Sequence, residues 1–224
     1  MQLDPRASAA GVRLVTHEVL ISTNTEALAL AKQGERGPLW VTAGRQTGGR
    51  GRRGRTWVSE PGNLHASLLL TEPSPPEHVP ELSFVAALAI HDAVAEIAPG
   101  LKPALTIKWP NDLLVGGAKF AGILIEGEGK DSEAAAVGIG INCVSHPADT
   151  DFPATDLKAA GADVTAEILF AALSVKMQGR LAQWNKGEHF STIRADWLAR
   201  AGSLGAPFPS NLLLFFDGKL YASL

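Results

Sequence analysis

At 224 residues the chain is long enough for one medium domain with a real core, and 46% apolar with 19% charged residues excludes a disordered polymer. The formal charge of −3 is unevenly spread: five of the 20 basic residues, Arg45, Arg50, Arg52, Arg53 and Arg55, crowd into positions 45–55. That pattern points to a local anion site and away from a broad nucleic-acid surface.

The lone Cys143 leaves no intramolecular disulfide and suits a reducing compartment. The opening MQLDPRASAAG has no signal-peptide apolar segment, and the apolar run 212–216 is far too short to cross a bilayer. A soluble, cytoplasmic protein is the expectation.

Strand and helix signals then alternate. Residues 12–19 read as a strand, and Ser22, Thr23 and Asn24 open a helix to about Lys32, with Thr23 and Glu26 at capping-box spacing. A short strand over 39–42 leads into the Gly/Arg segment, and 64–70 is a Leu-rich buried strand. The Pro-rich stretch 73–80 reads as a loop. Leu82, Val85, Ala89, Ala93 and Ile97 mark one face of a helix that Pro99 and Gly100 end.

The next fifty residues read as β structure: 105–109, 113–115, a Gly116-Gly117 hairpin turn, 120–126, a polar turn over 127–133, and 134–142. Helices follow over 165–185 and 189–201. The expected architecture is α+β, a mixed or antiparallel sheet flanked by helices, with residues 1–203 as one domain and 204–224 as a short C-terminal β segment.

Four constellations could carry chemistry. GGRGRRGRTW over 48–57 combines glycines that let a loop close around a ligand, guanidinium forks that fit phosphate or carboxylate, and the flat face of Trp57. It can equally be a flexible RNA-binding tract or a solvated loop. Lys108, Trp109, Pro110, Asn111 and Asp112, with Lys119 beyond a hairpin, could hold ribose, metal-bound phosphate and a carboxylate; Pro-Asn-Asp is also ordinary turn chemistry. Ser22, Thr23 and Asn24 could bind a neutral polar ligand or merely cap a helix. Gly138 and Gly140 could let a ligand lie against a strand, or pack under a helix.

Other chemistries lack their residues. There is no GxxxxGK[ST] loop and no GxSxG elbow, and GRGRRG is followed by a strand instead of the long helix a dinucleotide fingerprint needs. The six histidines show no close zinc spacing; His91 and Asp92 read as exposed helix surface, and Cys143 as small core filler.

Taken in order, these pieces resemble the catalytic core of biotin–protein ligases. The matching residues are Ser22, Thr23, Asn24, Gln46, GRGRRGRxW over 49–57, GNL over 62–64, KWPND over 108–112, KxAGILxE over 119–126 and GIGIN over 138–142. The likeness covers roughly residues 14–200. It implies a core related to class II aminoacyl-tRNA synthetases, with 204–224 as a remnant of an SH3-like domain.

It also implies ATP-dependent attachment of biotin, through biotinyl-5′-AMP, to a lysine of a biotin carboxyl carrier protein of acetyl-CoA carboxylase or a related enzyme. By resemblance, Ser22, Thr23, Asn24 and Gln46 meet biotin, Arg50, Gly51 and Arg52 fold over it, and Lys119 meets its carboxylate and the α-phosphate. Arg52 and Lys119 are the catalytic pair. Arg53, Arg55, Trp57, Asn111, Asp112 and Asn142 surround ATP, which brings Mg2+; no separate metal site is expected.

The chemistry suits the residues: joining a carboxylate to a triphosphate needs charge neutralisation and alignment, not a protein nucleophile. Ile21 and His65 depart from the family's usual residues. The chain begins almost at the core, so no DNA-binding helix-turn-helix is expected. A homodimer is left open. The competing readings are a lipoate or octanoate ligase or transferase on the same fold, and an Arg-Gly RNA-binding module.

Overall fold

The computed structural model describes residues 1–129 and 133–202, and the backbone of 213–216 and 219–223. In chain order its elements are α1 (Pro5–Ala9), β1 (Arg13–Leu20), α2 (Thr23–Lys32), β2 (Leu39–Gln46), β3 (Leu64–Thr71), α3 (Leu82–Ile97), β4 (Leu105–Lys108) and β5 (Asp112–Val115). After these come β6 (Ala118–Glu128), β7 (Ala134–Ile141), α4 (Ala166–Trp184), α5 (Phe190–Leu198), β8 (Leu213–Phe216) and β9 (Lys219–Ser223).

Seven strands form one sheet in the order β1-β2-β3-β7-β6-β5-β4, while among the described residues β8 and β9 pair only with each other. β1 and β2 are parallel, so the chain must cross over between them, and α2 is that crossover. Every other pairing in the large sheet is antiparallel. The expected mixed sheet flanked by helices is therefore present. The expected boundary between 203 and 204 lies outside the described residues, as do the side chains of the C-terminal β segment.

Strand alternation divides the sheet into two unlike faces. Trp40, Leu64, Ala66, Leu68, Val137, Ile139, Ala121 and Ile123 point to one side, where α3 and α4 bury them in the main core. α3 is buried nearly all round, not along one stripe, because it lies between the sheet and α4. On the opposite side α2 covers only a small cluster, Ala27, Leu39, Val41, Leu69, Ala134 and Ala136. The rest of that second face carries polar residues and glycines. It is the face on which a ligand can lie.

Local details differ from the sequence reading in three places. The residue capping α2 is Ser22, whose Oγ accepts from the Thr25 amide, so Thr23 is already helical and the Thr23–Glu26 box does not form. Within 73–80, expected as loop, a 3-10 turn begins at Pro76 and runs to Glu81. His91 is 7% exposed, not surface, and Asp92 is held by Arg180 Nε at 2.8 Å and Nη2 at 2.5 Å. α1 and the ordered path of 143–164 carry no periodic pattern and leave no signal in the sequence.

Burial alone would raise the Asp92 pKa, but the His91 and Arg180 hydrogen bonds and the charges of Arg180 and Arg200 outweigh it and hold the carboxyl below its usual value. A depressed carboxylate stabilises the fold above the unfolded value of about 3.9 and loses that contribution as pH falls through the folded value. Arg180→Ala is expected to cost about 1–3 kcal/mol at neutral pH and to flatten the acid limb below about pH 4. Thermal melts of both proteins from pH 3 to 7 check this; parallel curves would refute it.

Candidate active site

Two adjacent rows of residues cross the open face. In one, Ser67 pairs with Gly138 and Gly138 with Leu124; in the next, His65, Gly140, Gly122 and Asp112 are neighbours across four strands. The glycines leave a shallow floor where other residues would stand. A methyl group at Gly138 would sit 2.5 Å from Asn24 Oδ1, and one at Gly140 2.5 Å from Trp57 Cε2. The helix-packing reading of this segment thus holds at Gly138, which admits the first turn of α2, while Gly140 admits the Trp57 indole.

The floor next to α2 is a buried polar cluster. The Thr23 amide donates to Gln46 Oε1 at 2.8 Å, Gln46 Nε2 donates to Ser59 Oγ at 3.0 Å, and Ser67 Oγ lies 2.7 Å from Thr23 Oγ1 and 2.6 Å from Asn24 Oδ1. Thr23, Asn24, Ser59 and Ser67 are all buried. Buried polar groups are costly unless paired, so a cluster of this size needs a reason.

At the other end of the glycine row is the charged part. Lys119 Nζ is 2.6 Å from Asp112 Oδ1 and 5.6 Å from the Trp57 ring centre. Lys119 reaches this face through a β-bulge: β5 pairs Leu113 with Ala121 but Leu114 with Lys119, leaving Phe120 as the extra residue. Phe120 and Ala121 both enter the core, and the alternation restarts with Lys119 on the open side.

The arginine segment arches over both parts, tied at its base by Trp57 N–H to Gly49 O and Gly51 N–H to Arg55 O. Arg50 Nη2 donates to Thr25 Oγ1 and to both oxygens of Glu126 at 3.2 and 3.3 Å. Arg52 Nη1 approaches Asn111 Oδ1 at 3.5 Å, and Asn111 Nδ2 is fixed on Ile123 O at 2.7 Å. The packing around Arg52, then the charge of Arg53, lower its pKa, and Asp112 offsets only part of this. It remains a cation with an unmet need for an anion.

Asn142 stands at the end of β7, its amide donating to Thr155 O. Arg53, with φ of +57°, and Arg55 are exposed and make no ion pair among the described residues. Gln46, Ser22, Thr23, Asn24, Arg50, Gly51, Arg52, Trp57, Asn111, Asp112, Lys119 and Asn142 thus gather on or around one face. Arg53 and Arg55 project from the loop above it.

Sequence reasoning gave no role to Ser59, Ser67 or Glu126. The glycine opposite Ser67 was a usable signal, but nothing local marked the serines. Cys143 is fully buried and its thiol is pushed up to about 12, chiefly by burial, in keeping with core filler.

The biotin/lipoate A/B protein ligase family matches residues 17–142, more than half of the chain and all of this face. The chain belongs to that family. It is similar to the biotin–[acetyl-CoA-carboxylase] ligase of Paracoccus denitrificans, 42% identical over 197 residues that span 83% of this chain and 80% of that one.

Among solved family structures, the biotin protein ligase of Leishmania major in complex with biotinyl-5-AMP superimposes with a TM-score of 0.71 at 27% identity, over 85% of this chain and 81% of that one. The Aquifex aeolicus biotin protein ligase with biotin and ATP gives 0.71 at 26% identity, over 84% and 78%. The mixed sheet flanked by helices is the fold of these ligases. Among the described residues no helix is long and apolar enough to cross a membrane.

Proposed function

We propose that the protein is an ATP-dependent biotin–protein ligase, forming biotinyl-5′-AMP and passing the biotinyl group to a lysine of a biotin carboxyl carrier protein in the cytoplasm. One observation carries this reading: a buried neutral polar cluster and a cationic end, Arg52 and Lys119, are joined by a glycine floor on a single face. Biotin has the same layout, a urea ring at one end and a carboxylate at the other. An octanoate or lipoate ligase would gain nothing from burying Thr23, Asn24, Gln46 and Ser67 where an apolar chain or dithiolane must lie.

In this assignment Ser22, Thr23, Asn24 and Gln46 receive the ring, and Arg50, Gly51 and Arg52 close over it. Lys119 leaves Asp112 for the carboxylate and the α-phosphate. Arg53, Arg55, Trp57, Asn111, Asp112 and Asn142 surround the nucleotide. Carboxylate attack on the α-phosphorus expels pyrophosphate; the carrier lysine, as a free amine, then attacks the acyl carbon and expels AMP.

Among the described residues no group of three or more His, Cys, Asp or Glu side chains could hold a metal. Asp112 is the carboxylate at hand, so Mg2+ would be carried mainly by the ATP phosphates, where it offsets their charge. The carrier of acetyl-CoA carboxylase or a related carboxylase is the expected acceptor, as for the Paracoccus relative. Light scattering would show whether the ligase is a homodimer.

Incubation with biotin, ATP labelled in the α-phosphate and a carrier domain should give pyrophosphate, a transient labelled adenylate and biotinylated carrier. Absence of pyrophosphate release would refute the reading.

Four arginines among four glycines cannot build a core of their own, so segment 48–56 should exchange amide hydrogens quickly alone and slowly once the adenylate has formed. Hydrogen exchange with and without biotin and ATP measures this. Equal rates would mean the segment is not the cover of the site.

A further inference from the structure

The orientation of the amides on the pocket floor is fixed by chemistry. Asn24 Nδ2 faces a Glu126 carboxylate oxygen at 2.7 Å and Leu124 O at 3.2 Å, both acceptors only, so Asn24 Oδ1 must face Ser67. Gln46 must present Oε1 to Thr23, because the Thr23 amide can only donate. Four oxygens therefore stand in line, Gln46 Oε1, Thr23 Oγ1, Ser67 Oγ and Asn24 Oδ1, with gaps of 3.1, 2.7 and 2.6 Å. The two hydroxyls supply two protons for three gaps.

One gap must go without a proton, and the longest is the least repulsive. The Thr23 proton then points to Ser67 and the Ser67 proton to Asn24, which leaves Thr23 Oγ1 a bare acceptor beside Gln46 Oε1, one of whose lone pairs already takes the Thr23 amide. A ligand N–H is what this floor lacks. The direction of the whole line is set at its far end by Glu126, whose carboxylate cannot donate and so cannot let Asn24 turn round. The same carboxylate receives Arg50 from the loop above.

Resting on the biotin reading, we propose that Glu126 is a positioning residue with two linked roles. It sets the hydrogen-bond polarity that leaves Thr23 Oγ1 an acceptor for a urea N–H beside Gln46 Oε1, and it moors the arginine loop through Arg50. Ser67 is the relay between the two. Neither residue touches the reacting atoms, so both act on recognition of the ring and not on the phosphoryl step.

The test measures biotin binding by calorimetry without ATP, and steady-state pyrophosphate release, for wild type, Glu126→Ala, Glu126→Gln and Ser67→Ala. Glu126→Ala and Ser67→Ala are expected to weaken biotin binding at least tenfold while KM for ATP stays within threefold. Glu126→Gln keeps an acceptor for Asn24 and should recover most of the biotin affinity, yet it should share with Glu126→Ala a faster tryptic cleavage at 50–55 that Ser67→Ala does not show.

A pair of biotin analogues, each with one urea N–H replaced by a ring oxygen, reads the polarity directly. Wild type should reject one of them at least tenfold, and Ser67→Ala should lose most of that preference. Should Glu126→Ala fail to fold, the Gln variant and Ser67→Ala carry both halves of the test. Biotin affinity within threefold of wild type in Ser67→Ala and Glu126→Ala overturns the inference alone. Failure of the wild type to bind biotin at all overturns the functional reading and the inference with it.

Discussion

Replacing Lys119 by alanine is expected to slow adenylate formation about 30- to 1000-fold, or about 2–4 kcal/mol in activation free energy. Lys119 is placed by a bulge at the charged end of the glycine floor, and its partner in the free protein is Asp112 at 2.6 Å. Two anions must be brought into bonding distance in the first half-reaction, and the ammonium relieves their repulsion most where their charges are closest, in the transition state. Removing it should therefore lower kcat more than it raises KM for biotin, whose ring is held elsewhere. Lys119→Arg keeps the charge but not the compact head and should recover only part of the rate. Pyrophosphate release under saturating biotin and ATP measures all three proteins, and an alanine variant within threefold of wild type would remove Lys119 from the chemistry.

The second large effect concerns Gly140. An alanine there would place its methyl 2.5–2.7 Å from three atoms of the Trp57 indole, distances that real side chains do not tolerate. The indole must leave the cradle or the strand must move, and overpacking of this kind costs about 1–3 kcal/mol of stability. Because Trp57 also lies beside Lys119 and anchors the base of the arginine segment, adenylate formation should fall about 10- to 100-fold, about 1.4–2.8 kcal/mol in barrier. A double-mutant cycle isolates the cause: in a Trp57→Ala background Gly140→Ala should be nearly neutral for stability. Equal destabilisation in both backgrounds would show that the clash with Trp57 is not the reason.

What the sequence disclosed follows from the range of each interaction. Alternation and turn chemistry are local, and the strands β3, β6 and β7 and the Gly116-Gly117 hairpin can be read from neighbouring residues. The ordered motifs locate nearly all of the face, because each lies within one loop or strand. The Asn24–Glu126 and Ser67–Thr23 contacts join residues 102 and 44 positions apart, and no periodicity reports a pairing across three strands. His91 and Asp92 mislead for a similar reason. Two polar residues near a helix end look solvent-facing until α4 and α5 bring Arg180 and Arg200 over them. Thr23 reads as a cap because Glu26 has the right spacing, whereas Ser22 occupies that position and releases Thr23 to the pocket.

The bulge at Phe120 has a consequence for how this gene can change. Side chains on a strand alternate, so a strand records length as parity, and the extra residue Phe120 is what keeps Lys119 and Ala121 on opposite faces. Inserting one further residue between Lys119 and Phe120 would turn Lys119 towards the core and leave every motif residue still present in the sequence. Substitutions at Ala118, the first residue after the turn, should be absorbed easily, while a single-codon insertion between 119 and 120 should be among the most damaging lesions in the chain. An insertion and substitution scan over 118–120 scored by carrier biotinylation would separate the two kinds of change, which composition alone would rate as equally mild.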